Sequence, residues 1–350
     1  MRFWLIILLC TGLSVTCPDA LAANTGKQRA NQPMPPKPAQ DPALGPIRAL
    51  VATPENQVDL ARAKLAIDQF IDSTIDVPGT LRRLDALAAG VKARFPANAN
   101  DAVKMELLLA SLGQPGPWND YRPFSYDLDD PSGKIIRNKL LSTYLDTRKG
   151  NCVSMPILLV ILGQKLDLNL TLATAPQHVL AKFHNPYDGK WVNVEATSGG
   201  FKLDSSYQHD MGITPRAMAN GIYLRPLSKR ESLGVMLSTL MESYRDKRKY
   251  TKQIEVADMA LKLDPKDTAA MLQKGSAHYL IMKTNYMDRY PSQAAIPPEK
   301  QAEFAILARA NILWFQKAEA LGWAQPTTRQ DTTYQQVIQR TKEAQQGARP

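Results

Sequence analysis

Cysteine is scarce in this chain: three occur in 350 residues, and two of them, Cys10 and Cys17, lie in a stretch that reads as a removable leader. Once that leader is cleaved only Cys152 remains, which excludes an intramolecular disulfide framework. Zinc-ligand spacing, a P-loop and a dinucleotide fingerprint are all missing, so neither metal nor cofactor is expected. Past the N-terminus no run of about 18 apolar residues occurs, which excludes a polytopic helical membrane protein. The charge balance leans only moderately one way, with 43 Lys+Arg against 33 Asp+Glu and a formal net charge of +10. That excess suits an anionic surface or simple solubility, and nucleic acid is not an expected partner.

What is present suffices for a real core, since 44% of the residues are hydrophobic and 22% charged. At about 150 residues per domain, the length suggests two domains. Met1-Arg2, the apolar run Phe3 to Cys10 and the small residues Ala20-Leu21-Ala22 have the order of a secretory signal peptide, residues 1–22. An uncleaved anchor is the alternative, and lipidation at Cys17 is a weaker one because Ser14-Val15-Thr16 lacks the usual lipobox residues. The expected location is therefore periplasmic or secreted. In an oxidising compartment a lone thiol is a liability, which draws attention to Cys152; its plain alternative is a buried small hydrophobe.

Residues 23–52, with Pro33, Pro35, Pro36, Pro38, Pro42 and Pro46, read as an extended linker. Thr53-Pro54 has the form of an N-cap and first-turn proline. Helical stripes follow at Val58, Ala61, Leu65 and Ile71, at Leu81 to Phe95, and at Val103 to Ala110, making 53–115 a helical region. From 116 to 225 the texture becomes α+β. Leu140–Leu145 reads as helix, Gly150-Asn151 as a turn, and Val153–Leu166 as an apolar helix buried on most sides. Strands at Val179–Phe183 and Trp191–Val194 flank Asn185-Pro186-Tyr187-Asp188-Gly189, a β-hairpin signature. Residues 226–350 read as helical. There Tyr250, Ile254, Ala257, Ala260, Leu261, Leu263, Asp264 and Pro265, then Ala270, Gly275, Ala277 and Tyr279, resemble a tetratricopeptide junction, an ordinary helical bundle being the alternative.

Cys152 lies in Arg148-Lys149-Gly150-Asn151-Cys152-Val153-Ser154-Met155-Pro156. Pro156 is tolerated only in the first turn of the apolar helix, which pins Cys152 near its N-terminus. Exposed N–H groups, the helix dipole and the charges of Arg148 and Lys149 favour an anionic sulfur there. Of the four histidines, His178 at the start of a strand is the best base, while His278 reads as structural. If Asn185 pairs with Lys190, His178 faces Thr197 and Glu195 is its diagonal neighbour on the same sheet face, within reach of an imidazole–carboxylate hydrogen bond. Glu195 would then hold the His178 tautomer while the other ring nitrogen faces Cys152. Asp127, Asp129 and Asp130 lack the order of a calcium loop and read as a solvated acidic loop.

The order of helix-start Cys, strand His and acid on the next strand, with Pro123-Phe124-Ser125-Tyr126-Asp127, Arg148–Cys152, Pro176-Gln177-His178 and Trp191–Thr197, resembles the bacterial transglutaminase-like branch of the papain-like cysteine enzymes. The helical Leu60–Pro96 region and the tetratricopeptide-like tail resemble the flanks of one bacterial subgroup. The resemblance implies an α+β papain-like core with Cys152 as nucleophile, His178 as general base and acid, and Glu195 as orienting acid, where the superfamily more often has Asp. The Cys152 backbone N–H, with Tyr126, Asn119 or Gln177, is a candidate oxyanion donor. Two functions stay open: an exported acyl-transfer enzyme (protease, amidase, deamidase or transglutaminase type) acting on a peptide or protein, including cell-wall peptide, or a non-catalytic binding module whose helical tail engages a protein partner.

Overall fold

The computed structural model describes residues 40–327 apart from residue 198, together with Gln336 and Gln339; the expected leader and most of the expected linker lie outside the described residues. Two expectations for the start of the chain are corrected. Residues 40–52 are not an extended tether: Pro42–Leu44 form a 3-10 turn and Gly45–Ala52 form helix α1. The prolines fall in first turns, where a missing N–H has no intrahelical partner to lose, and Asp41 caps the turn by accepting from the Ala43 N–H at 2.9 Å. Leu44, Ile47 and Val51 are buried, and Arg48 pairs with Glu255 at 2.5 Å. Thr53 ends α1 rather than starting a helix. The next helix, α2 (Leu60–Ile71), is capped by Asp59, whose carboxylate accepts from the Arg62 N–H.

Helices α3 (Val77–Lys92) and α4 (Asp101–Gly113) occupy the two remaining stripes. A short parallel pair, β1 (Ser125–Tyr126) with β2 (Lys149–Gly150), brackets α5 (Leu141–Thr147). Then comes α6 (Ser154–Lys165), in which every residue from Ser154 to Gly163 is buried. The main sheet is antiparallel throughout, in the order β3 (Leu170–Ala175), β4 (His178–His184), β5 (Trp191–Glu195), β6 (Gly200–Lys202). The β4–β5 register pairs His184 with Trp191 and Ala181 with Val194, the alignment set by Asn185 and Lys190 across the turn. Helices α7 (Asp204–Met211) and α8 (Pro215–Asn220) follow, and the chain continues through α9 (Lys229–Asp246), α10 (Tyr250–Leu263), α11 (Thr268–Met282) and α12 (Pro298–Leu321).

Period-two alternation divides the sheet's side chains between two cores. Leu172, Ala181, Phe183 and Val194 join the large core with α6 and with buried residues of α1 to α3, α9 and α10. Ala173, Ala175 and Leu180 point the other way, into a smaller core with Tyr207, Ile213 and Ala217. Strands β3 and β6 and helices α7 and α8 carried no sequence expectation; Leu-Thr-Leu-Ala-Thr-Ala in β3 has the alternation of a strand, whereas β6 is three residues long.

Inside the large core lies an ion pair between Lys64 and Asp68, both fully buried. The Lys64 ammonium also donates to the Lys139 carbonyl at 3.0 Å, and the second Asp68 oxygen accepts from the Leu141 N–H at 2.8 Å. The pair thus ties α2 to the start of α5. Removing one member strands the other charge without water, so Lys64→Met or Asp68→Leu alone should each destabilise the protein by about 3–5 kcal/mol, and the double variant by less than the sum. Urea unfolding measures this; single variants within about 1 kcal/mol of wild type would show that the charges are not desolvated as the packing requires.

Candidate active site

The turn before α6 is built by Asn151 and Gly150. Asn151 is fully buried, and its side-chain oxygen accepts from the Val153 N–H at 3.0 Å and the Ser154 N–H at 3.2 Å. It acts as the helix cap, with Cys152 held inside the capping turn. Asn151 also donates its own N–H to the Ser154 hydroxyl at 3.0 Å. Gly150 is required by space: a Cβ there would lie 2.5 Å from the Tyr144 ring and 2.6 Å from Met155 Cγ. Cys152 is a free thiol, 9% exposed. The two flanking cations are directed elsewhere: Arg148 stacks on Phe124 and approaches Asp120 at 3.7 Å, and Lys149 pairs with Asp129 at 2.8 Å.

His178 opens β4 directly after a two-residue turn, Pro176-Gln177, in which Gln177 takes φ 56°. Cys152 is near enough to act on the His178 ring electrostatically, and the ring's Nε2 is 2.8 Å from Glu195 Oε2. The three residues singled out from the sequence are therefore neighbours at one place. Sequence reasoning missed two more. Tyr207, on α7, donates its hydroxyl to the same Glu195 Oε2 at 2.6 Å, and Thr197 donates its hydroxyl to Oε1 at 2.7 Å and its N–H at 3.3 Å. Register arithmetic located Thr197 opposite His178 without revealing this contact; Tyr207 belongs to a helix with no apolar stripe, so nothing local in the sequence marks it.

These contacts set the charge states. Burial alone would push His178 toward its neutral form, but hydrogen bonds to Cys152 and Glu195, with the field of both, raise its pKa to about 10. Burial would likewise raise Glu195, yet the His178 bond, then the Tyr207 and Thr197 bonds, lower it to about 2. Around neutral pH the arrangement is an imidazolium beside a carboxylate.

The other sequence candidates have hydrogen-bond partners outside this cluster or lie exposed. Asn119 is buried and donates to the Ser111 and Gln114 carbonyls at 2.8 and 2.7 Å, while Tyr126 donates to the Pro131 carbonyl at 2.5 Å; both shape loops. Gln177 is exposed. The acidic loop is corrected: Asp127 and Asp130 are buried, not solvated. They accept from the backbone N–H groups of Asp129, Asp130, Lys134 and Ile135, and both accept from the Asn138 side-chain amide. Their carboxylates replace the hydrogen bonds that a tight loop cannot make to itself. His278 is buried, and desolvation with the nearby Lys274 charge lowers it to about 4. Among the described residues no group of three or more His, Cys, Asp or Glu side chains is arranged to hold a metal ion.

Comparison with known proteins adds the family. Residues 79–238 match the model of the transglutaminase-like superfamily. This stretch is a transglutaminase-like domain. It runs from within α3 into α9 and contains Cys152, His178 and Glu195. The superfamily generally contains cysteine hydrolases and acyltransferases. Among curated proteins, a UPF0162 protein of Xylella fastidiosa strain 9a5c is 25% identical over 170 residues, 45% of this chain and 60% of its own length. A UPF0162 protein of Buchnera aphidicola subsp. Baizongia pistaciae is 25% identical over 161 residues, 44% of this chain and 58% of its own. The chain thus spans about three fifths of the curated relatives it matches. No solved structure matches the chain significantly.

The charge states make a titration prediction. A raised histidine pKa contributes stability that is fully present below its unfolded value near 6.5 and is lost as pH rises through about 10; the lowered Glu195 contributes stability present above about 4.5 and lost as pH falls through about 2. Nitrogen-15 NMR of the His178 ring should accordingly show imidazolium at pH 8, and Glu195→Gln should move its deprotonation to lower pH. A wild-type ring that titrates near 6.5 would contradict the arrangement.

Proposed function

We propose that the protein is an exported cysteine-dependent acyl-transfer enzyme acting on a peptide or carboxamide. The observation that supports this most is the His178–Glu195 hydrogen bond, with Cys152 near enough to act on the same ring, within a transglutaminase-like domain. In this reading the Cys152 sulfur attacks the carbonyl carbon of the substrate, and the Cys152 backbone N–H donates to the developing oxyanion. The Val153 and Ser154 N–H groups are already engaged by Asn151, so they do not compete for that role. As the C–N bond breaks, His178 passes its proton to the leaving amine, and a thioester remains. Water then releases an acid, with His178 accepting its proton, or an amine takes the acyl group and leaves an isopeptide-type amide. Glu195 keeps the ring oriented throughout and favours its protonated form whenever it takes up a proton.

Exported peptides and cell-wall fragments are the substrate class to screen, because the leader and the residues that follow it point outward from the cytoplasm. Intact-mass measurement of the secreted or periplasmic protein should give an N-terminus at Ala23; a full-length chain in the cytosol would refute export.

The catalytic reading is tested first without a substrate. Iodoacetamide near neutral pH should alkylate Cys152 readily in wild type and far more slowly in His178→Ala, as followed by mass spectrometry. Once ammonia or amine release identifies a substrate, Cys152→Ala should abolish turnover and His178→Ala should lower it by roughly 10²–10⁴-fold. The double variant should lose no more than Cys152→Ala alone, because the two act as a unit. Full turnover by folded Cys152→Ala would end the proposal.

A further inference from the structure

Glu195 is held more completely than a residue that merely pairs with a histidine needs to be. Its Oε2 receives two donors, the His178 ring at 2.8 Å and the Tyr207 hydroxyl at 2.6 Å, and its Oε1 receives the Thr197 hydroxyl and N–H. Tyr207 is fully buried, and its ring lies 6.0 Å from that of His178 at a shallow tilt. The position of Tyr207 is itself fixed. One layer further along the same sheet face, Asp204 at the first turn of α7 accepts from the Asn193 amide at 2.6 Å and from the Lys182 ammonium at 3.3 Å. Lys182 is almost wholly buried. Lys202 lies over the Tyr207 ring at 4.5 Å. Two polar layers therefore join α7 to the sheet, and the outcome is a phenol aimed at the acid of the cluster.

We propose that Tyr207 is a positioning residue that tunes the acid–base strength of His178 through Glu195. This deepens the acyl-transfer reading and rests on it. The physics is competition for one oxygen. A donor on Oε2 withdraws negative charge from the atom that also holds the imidazole proton, so the ring releases that proton more readily than it would beside a carboxylate with no other donor. A glutamate in place of the shorter aspartate has one more rotatable bond. Tyr207 and Thr197 remove that freedom while restraining the carboxylate's pull on the ring. The charged and titratable groups facing the pair are Cys152 from the start of α6, Tyr207 and Asp204 from α7, and Lys182 and Lys202 from the sheet. Burial beside Glu195 raises the phenol's own pKa, so it remains a donor across the working range.

The test compares Tyr, Phe and 3-fluorotyrosine at position 207. In a Cys152→Ala background, which removes the sulfur's influence, the pH midpoint of the His178 ring is read by NMR. Tyr207→Phe should raise that midpoint by about half a unit or more, and 3-fluorotyrosine, a stronger donor, should lower it. A purely structural tyrosine would give no such graded order. If Tyr207→Phe fails to fold, the fluorotyrosine protein, which exchanges one hydrogen for fluorine, decides alone. Midpoints that coincide or run in the reverse order overturn the inference. Iodoacetamide labelling with Cys152 restored separates this from the parent reading: equal labelling of wild type and His178→Ala refutes the acyl-transfer site itself, whereas slowed labelling in His178→Ala with an unmoved ring midpoint refutes only the role of Tyr207.

Discussion

A carboxylate taken out of water needs four lone-pair partners, and the buried charge of Glu195 is the constraint around which the surrounding structure is arranged. Left bare, such a group would take up a proton instead of holding a charge. Here β4 supplies His178, the turn after β5 supplies Thr197, and α7 supplies Tyr207. The three donor residues come from three different elements, so the ionised acid exists only when the hairpin is in register and the helix is seated. The charge in turn holds the imidazole protonated and engages its Nε2, leaving Nδ1 as the nitrogen not bonded to the acid. Folding and electrostatics are coupled at one residue.

The sulfur is positioned by a different principle. Helix α6 is buried from Ser154 to Gly163, and a helix apolar on all sides cannot rotate or slide without opening a cavity in the large core. Its N-terminus is consequently a fixed point. Asn151 closes the turn by accepting from two helix N–H groups, and Gly150 lets the preceding strand pass against Tyr144. A flexible thiol is thereby held at the end of an element that hydrophobic packing has already located, while its base stands on a strand pinned by hydrogen bonds.

What could be read from the sequence follows from the range of each signal. The apolar run of α6, the stripes of α3 and α4 and the hairpin turn are local patterns, and a turn fixes the pairing of the residues on either side of it; hence His178 and Glu195 could be placed on one sheet face. Tyr207 is a tertiary fact, reached through a helix whose sequence, Asp204–Met211, has almost no amphipathic pattern. The prolines of 42–46 misled because composition suggests extended chain, whereas their positions in two successive first turns are compatible with helix. Asp127 and Asp130 misled for a related reason: clustered carboxylates suggest solvent until the loop's own N–H groups are counted as their partners. The family match over residues 79–238 agrees with the resemblance carried by the Cys, His and Glu segments, while the tetratricopeptide likeness of the tail rests on its sequence pattern.

The described helices of the tail share both cores with the elements that carry the Cys152 cluster. Residues of α9 and α10 share the large core with α6 and the sheet, so the face that carries α6 is covered by helices from both ends of the described chain. The end of α12 returns to the opposite side. There Leu321 and Trp323 pack on the small core that contains Tyr207, the Thr214 hydroxyl donates to the Gly322 carbonyl at 2.8 Å, and the Asn220 amide donates to the Leu321 carbonyl at 2.9 Å. Gly322 takes φ 108°, and a Cβ there would come within 2.4 Å of the Ala217 nitrogen, so this contact is a close backbone approach that a side chain would push apart. The core bearing Tyr207 is small, built from two short helices, three strand residues and the loop residues Ile213 and Ile222 to Leu224. The end of the tail thus adds apolar surface to the core in which the Tyr207 ring is buried, and a desolvated hydrogen bond is the one that can set a proton's affinity.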